Sequence, residues 1–321
     1  MTITGLNVST GIDAGSSCSK LAYSDAISTR SIARCEGFDP LELREEAEIF
    51  FDEPVFSCVI AVPEEMSLRH KDGIKHKAEI SGFRDVNIIT AHEAMALGLG
   101  SDERVLVYDF GASRSEMVVL EDGEVLESVI VPDVCGDEFD CVFAEYLCER
   151  RLMKKVNEEL LREAKRIKHV LSDNPSRIWH STNIMREDFE RLIYFSVKRA
   201  SHTVNRLIHV WKPESFILTG GCANIPLVRE MFGSAEVIDD VIVKGVSLKA
   251  FSLTRQEARK NIADTASRMR EIRAEILGIE DRLTRSQKDR LYVMFRQVEG
   301  MNDAGMITLM ENLIREIRNV Y

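Results

Sequence analysis

Several protein classes are excluded by what this sequence lacks. Its 7 cysteines (Cys18, Cys35, Cys58, Cys135, Cys141, Cys148 and Cys222) are odd in number and include no C-x-x-C pair. That spacing supports neither a disulfide framework nor a zinc site, so they read as small hydrophobes with free thiols. None of the 7 histidines pairs with another at helical i, i+4 spacing, so none is assigned to a metal. Positive charge is scarce: 42 Lys and Arg face 53 Asp and Glu, a net charge of −11. Such a chain repels phosphodiesters, and no nucleic-acid partner is expected. No apolar run approaches the roughly 18 residues that a membrane span needs. No basic segment followed by an apolar stretch opens the chain. No membrane partner is therefore expected, and the expected location is cytoplasmic.

What is present is a globular composition: 321 residues, 45% hydrophobic and 30% charged. That length suits roughly two domains of about 100–200 residues each. Up to Leu253, strand-like and helix-like runs alternate, which predicts an α/β core. Leu6 to Ile12 reads as a strand entering a glycine turn, with Lys20 to Tyr23 as its hairpin return. Asp39-Pro40-Leu41-Glu42 places a cap, a first-turn proline and an N3 carboxylate in register, predicting a helix to Phe51. Phe56 to Val62 and Val86 to Thr90 read as strands. Helices are predicted over Ser67 to Ser81, with Gly82 as the stop, and over His92 to Leu99. Val105 to Gly111 is a strand, and Asp122-Gly123 marks a hairpin between Glu116–Leu120 and Val125–Val131. Asp137 to Leu171 and Ile184 to Trp211 have helical period, followed by a strand at Ser215 to Thr219 and a helix at Pro226 to Met231.

From Thr254 onward there is no proline and no strand-like run. Thr254-Arg-Gln-Glu257 is a capping box, and Gly278 and Gly300 to Gly305 divide the remainder into about three helices. This segment carries a net charge of +2 against −13 for the rest. It is expected to form a small helical bundle.

Three glycine-bearing strand ends can carry chemistry. The first is Gly11-Ile-Asp13-Ala-Gly15-Ser16-Ser17-Cys-Ser-Lys20. Its aspartate can hold the waters of a hydrated Mg²⁺, its turn amides and hydroxyls can cradle phosphate, and its lysine can neutralise phosphate charge. The second, Val107-Tyr-Asp109-Phe-Gly111-Ala112-Ser113-Arg114, repeats the strand–Asp–Gly design. The third is Phe216-Ile-Leu-Thr-Gly220-Gly221-Cys222-Ala-Asn-Ile-Pro226, where paired glycines let backbone approach a flat ligand or a phosphate.

In that order these motifs resemble the actin-fold ATPases, and among them the heat-shock-protein-70 (DnaK) family. Val59 to Gly100 is similar to the family's stretch from its V-P-A strand through its connecting helix. Cys135-Gly-Asp-Glu-Phe-Asp140 resembles G-G-E-D-F-D, and Lys165 to Ser172 the adenosine-contacting helix. Asp239 to Ala250 resembles the closing helix. The similarity implies a two-lobed core of duplicated mixed sheets over residues 1–253, lobe I about 1–103 and lobe II about 104–253. Residues 254–321 would form a lid-like helical tail. It implies ATP or ADP with Mg²⁺ as ligands. Asp13, Gly15, Ser16, Ser17, Lys20, Gly111, Arg114, Lys168, His169, Ser172, Gly220, Gly221, Cys222 and Asp239 would contact nucleotide, with Asp13 and Asp109 toward Mg²⁺ through water.

The departures bear on catalysis. Only about 30 residues separate Tyr23 from Val55, so the family's inserted subdomain, which brings a catalytic lysine, is expected to be missing. Lys20 can partly replace that lysine. The connecting-helix glutamate falls on Ala91, leaving Glu93 as a substitute candidate. The family's D-L-G-G-G-T becomes Asp109-Phe-Gly111-Ala112-Ser113-Arg114, whose added side chains crowd the approach to phosphate. His169 replaces an arginine that stacks on adenine. Asp109 is the carboxylate best placed as a general base. No β-rich peptide-binding segment follows Leu253 in these residues. The expected function is nucleotide-controlled lobe closure with weak or no hydrolysis, in a chaperone-related or regulatory role. A protein client or partner is expected to be met through the 254–321 helices. Two other readings stay open. One is a non-catalytic actin-like scaffold or polymer. The other is a reactivating ATPase for a cytosolic enzyme, since the first loop also resembles the dehydratase-activator ATPases.

Overall fold

The computed structural model describes residues 8–25 and 27–279, and beyond them positions 283–285, 287–288, 291, 293–294, 310–312 and 314–315. The chain divides into two compact units, Asn7–Phe251 and a second that takes in the chain from Ser252 on.

The first unit contains one design used twice. Lobe I holds β1 (Ser9–Asp13), β2 (Cys18–Ser24), β3 (Thr29–Glu36), α1 (Pro40–Phe51), β4 (Ser57–Val62), α2 (Leu68–Ile80), β5 (Asp85–Thr90) and α3 (Ala91–Leu99). Its sheet has the order β3-β2-β1-β4-β5, an antiparallel meander extended by two parallel strands. Lobe II follows with β6 (Val105–Phe110), β7 (Ser115–Glu121), β8 (Glu124–Ile130), α4 (Gly136–Arg150), α5 (Glu158–Asp173), β9 (Ser176–Trp179), β10 (Thr182–Met185) and α6 (Arg186–Trp211). It ends with β11 (Ser215–Thr219), a 3-10 turn (Gly221–Asn224), α7 (Pro226–Met231) and β12 (Glu236–Val237), and α8 (Val241–Ile279) begins after them. The second sheet reads β8-β7-β6-β11-β12, the same meander and the same parallel extension. Two mixed sheets of this kind, flanked by helices, make the α/β actin-like fold.

Local chemistry explains most boundaries. Asp39 caps α1 by accepting from the Leu41 and Glu42 amides, with Pro40 in the first turn. Ser67 and Thr90 cap α2 and α3 in the same way. β6 is apolar except at Asp109 because it is buried on both faces. Leu106, Tyr108 and Phe110 face a core shared with α4, α5 and α6, while Val105 and Val107 face Met95 of α3 and Val241 of α8. Full burial of a side chain such as Phe110 contributes about 1.5–3 kcal/mol.

Four expectations need correction. The single helical block from Asp137 to Leu171 is two helices, because residues 151–157 turn away between them, with Leu152 at positive φ. β3 and the β9–β10 hairpin carry no clear alternation in sequence and were not expected. Ile184 is strand rather than helix. The capping box at Thr254 does not start a helix, for α8 runs through it from Val241 to Ile279. Gly278 lies inside that helix, and Gly300 to Gly305 falls outside the described residues.

The second unit is described by its own core. Ile272, Leu283, Leu291, Met294, Met310 and Ile314 are buried together, and Arg268 makes a two-armed ion pair with Glu311 at 2.8 Å.

Within the first unit, α3 and the start of α8 cross with their backbones in contact. A Cβ on Gly245 would lie 1.7 Å from the Ala94 carbonyl oxygen, and one on Gly98 would lie 2.1 Å from that of Val241. Gly245→Ala should therefore destabilise by at least about 1–3 kcal/mol, the cost of overpacking. Gly73→Ala, in open space on α2, should stabilise by about 0.5–1 kcal/mol. Urea midpoints of the two variants check this; equal effects would contradict the crossing.

Candidate functional site

The duplicated meander sets two aspartates in equivalent places. Asp13 ends β1 and faces Lys20 across the first hairpin. Asp109, near the end of β6, faces Glu116 across the second. The connections that follow, residues 14–17 and 111–114, are tight turns; Gly111 N–H donates to the Arg114 carbonyl at 3.0 Å. Thr219 lies beside Asp109 on β11, and Gly220 comes next. Gly220 has φ +90°, and a Cβ there would lie 2.6 Å from Asp109 Oδ1 and from the Phe110 carbonyl. Only glycine lets the third motif close against the second.

The electrostatics follow from this crowding. Burial, helped by Asp109 and Asp240, pushes the Asp13 carboxyl up to about 7, against the opposing pull of Lys20. Burial, helped by Glu116, pushes Asp109 up to about 6, with Arg114 and Lys20 pulling the other way. The Lys20 ammonium is bonded to Asp240. This pair joins the first hairpin to the residue before α8, where Asp240 adopts φ +66°.

A second cluster lies beside the Gly111–Arg114 turn. Glu116 is buried and accepts from His92 Nε2 at 2.9 Å, from Ser128 and from Arg114. His92 also lies 3.7 Å from Glu64. Burial tends to raise Glu116, but these donors hold it down at about 2. Its carboxylate in turn pushes the His92 imidazole up. Arg114 reaches Glu65 as well as Glu116. A groove of about 780 Å³ opens here, lined in part by Glu64, Glu65, His92, Glu93 and Ser128.

The remaining expected residues are distributed as follows. Ser16 is exposed, and Ser17 Oγ accepts from Lys165 Nζ at 2.6 Å, tying α5 to the first turn. Lys168 is buried, with Nζ 2.7 Å from Asp140 and 2.8 Å from the Gly136 carbonyl, so its charge is spent on α4. His169 is exposed on the next position of α5, and Ser172 Oγ donates to the Lys168 carbonyl. Cys222 is buried with Sγ 3.5 Å from the Gly111 carbonyl, while Gly221 is exposed. Asp239 is exposed, and its neighbour Asp240 takes the contact with Lys20. Glu93 sits at the surface of α3, paired with Lys249 at 2.8 Å. Among the described residues, no group of three or more His, Cys, Asp or Glu side chains converges to hold a metal ion.

Sequence reasoning missed Asp240, Glu116, His92 and Glu65. For Glu116 a signal existed: it is an acidic residue directly before the apolar run Met117–Leu120, opposite Asp109. The others meet only through tertiary packing.

Two duplicated lobes with aspartate-bearing hairpin turns and a Gly-Gly turn closing on one of them define a protein of the actin-fold class. The family model described as Hsp70 protein matches residues 41–247. The chain belongs to the heat-shock-protein-70 family. It is similar to the chaperone protein HscA homologs of Rickettsia prowazekii (strain Madrid E), 27% identical over 241 residues, and of Rickettsia typhi (strain ATCC VR-144 / Wilmington), 27% over 244. These cover 69% of this chain but 40% and 41% of the relatives. The homolog of Haemophilus influenzae (strain PittEE) is 27% identical over 214 residues, 60% of this chain and 35% of that protein. The chain thus spans about 40% of the length of the first two of these relatives.

The raised aspartates predict a pH dependence. Folded Asp13 holds its proton more tightly than at its ordinary value of 3.8, so the stabilisation present below that pH is lost as pH climbs through about 7. Asp13→Asn should flatten this fall and raise the melting temperature of the ligand-free protein at pH 8. A variant less stable than the parent at pH 8 would show that Asp13 is not held against its charge.

Proposed function

We propose that the chain binds ATP or ADP with Mg²⁺ between its two lobes and uses the bound nucleotide to set their closure, in a chaperone-related or regulatory role. The observation that carries this reading is the pair Asp13 and Asp109, two crowded carboxylates at equivalent strand ends, both pushed well above the ordinary range. Carboxylates so placed gain most when a divalent cation enters, because it relieves their desolvation and mutual repulsion together. Their chemistry therefore fits a hydrated magnesium ion, which would supply charge neutralisation to the phosphates. Gly15, Ser16, Ser17 and Gly111 offer turn amides and hydroxyls to phosphate oxygens. Lys20 adds a cation that must first share itself with Asp240. Gly220 and Gly221 leave a bare backbone surface for a nucleoside, with His169 and Ser172 on α5 as its second side.

Hydrolysis is weak or absent on this reading. The attacking water needs a carboxylate within hydrogen-bond reach. Glu93 is engaged with Lys249 at the surface, which leaves Asp109 as the candidate base. The whole relatives are chaperones by name. A chaperone-like role for this chain is proposed on the strength of that family membership, with the helices after Ser252 as the segment offered to a client or partner.

A second reading is favoured by one observation. The cations near the turns, Lys20 and Arg114, are already paired with the chain's own carboxylates. A lobe pair pinned in this way would serve as a non-catalytic actin-like scaffold.

Thermal unfolding with and without Mg-ATP and Mg-ADP separates the two. Nucleotide at about 100 times its dissociation constant stabilises by roughly 2.7 kcal/mol, a rise of about 5–10 °C for a unit of this size. The shift should vanish in Asp13→Ala. No shift at millimolar nucleotide would leave the scaffold reading.

A further inference from the structure

Arg114, on the second turn itself, holds two carboxylates from two lobes, as the neighbouring His92 does with Glu116 and Glu64. Glu116 belongs to β7 of lobe II, while Glu65 follows β4 in lobe I. The two arms are unequal. Glu116 is 5% exposed and is also held by His92 and Ser128. Glu65 is 52% exposed, and water competes for it. An exposed ion pair of this kind is weakly held, whereas a buried carboxylate with several donors is not readily released. Of the two partners, Glu65 is the one that an incoming anion can replace.

The position of Arg114 gives that anion its identity. The guanidinium stands on the turn that begins two residues after Asp109, and its charge is felt at the Asp109 carboxylate. A phosphate group carries more charge than a carboxylate and matches the planar guanidinium fork with two oxygens. We propose that Arg114 is a phosphate-operated latch, in which a nucleotide's terminal phosphate displaces Glu65 from the guanidinium and so releases one ionic tie between the lobes. This inference rests on the nucleotide reading above and adds to it a residue that selects for the longer phosphate chain. Glu116 keeps its hold on Arg114 throughout, so the guanidinium stays aimed at the turn while its outer arm changes partner.

The latch makes Glu65 a competitor of the ligand, and removing a competitor tightens binding. Titration calorimetry with Mg-ATP, Mg-ADP and AMP on the full chain, on Glu65→Gln, on Arg114→Lys and on the double variant tests this. Glu65→Gln should tighten ATP by about three- to fivefold, the range that an exposed ion pair commands. It should leave AMP within about twofold, since one phosphate does not reach the turn. Arg114→Lys keeps a cation beside buried Glu116, and so spares the fold, but lacks the two-armed geometry. In that background Glu65→Gln should change ATP affinity by less than twofold. Wild-type binding of ATP with no tightening in Glu65→Gln would overturn the latch and leave the nucleotide reading standing. Equal tightening of ATP and AMP would also overturn it, because the effect would then be general electrostatics. Failure of the wild type to bind any of the three would sink the nucleotide reading and the latch together.

Discussion

The contact on which the first unit depends is the crossing of α3 with the start of α8, where two helix backbones touch at Gly98 and Gly245. α3 comes from lobe I and α8 leaves lobe II, so their approach sets how far apart the two sheets stand. Side chains at either glycine would push the helices apart by the width of a carbon atom or more. Around the crossing, Met95 and Val241 fill the face of the second sheet, and Ser247 bonds to Ser24 at 2.6 Å on the first. The residues just before α8 inherit this placement. Asp240 meets Lys20 because the helix that follows it is locked against α3.

From that fixed spacing the polar seam follows. Lys20 with Asp240, Arg114 with Glu65, His92 with Glu116 and Lys165 with Ser17 each join one lobe to the other. Such bridges differ in strength with burial. The His92–Glu116 pair is enclosed and further held by Ser128, so it acts as a fixed post. The Glu65 arm lies half in water and can exchange partners at little cost. A seam with one firm and several yielding ties can open on one side without losing its register.

The Asp13 and Asp109 pair shows the opposite economy. Their placement disfavours the charged forms of both groups, and folding alone offers only Lys20 and Arg114 in compensation. Structure that stores unfavourable electrostatics in one spot, while satisfying its caps and cores elsewhere, places that spot among candidate binding sites.

Much of this was legible in the sequence because it is local. The Asp39-Pro40 cap, the Asp122-Gly123 hairpin and the apolar run of β6 encode their own conformations within a few residues. The three glycine-bearing turns could be found for the same reason, while the register that sets Lys20 opposite Asp13 came from the pairing of β1 with β2. Where local signals were silent or misleading, packing decided. Thr254 and Glu257 have the spacing of a helix start, yet α8 passes through them, since a helix already running from Val241 needs no new cap. β3 pairs with β2 despite a mixed composition because the meander offers it an open edge. Asp240 rather than Asp239 meets Lys20, and Arg114 finds Glu65 49 residues away, because contacts between lobes depend on how two sheets are spaced. The sequence by itself determined most of the elements, the duplicated turns and the family; only the tertiary structure decided β3, the β9–β10 hairpin and which charges meet across the seam, since those partners are set by helix crossing and not by chain distance.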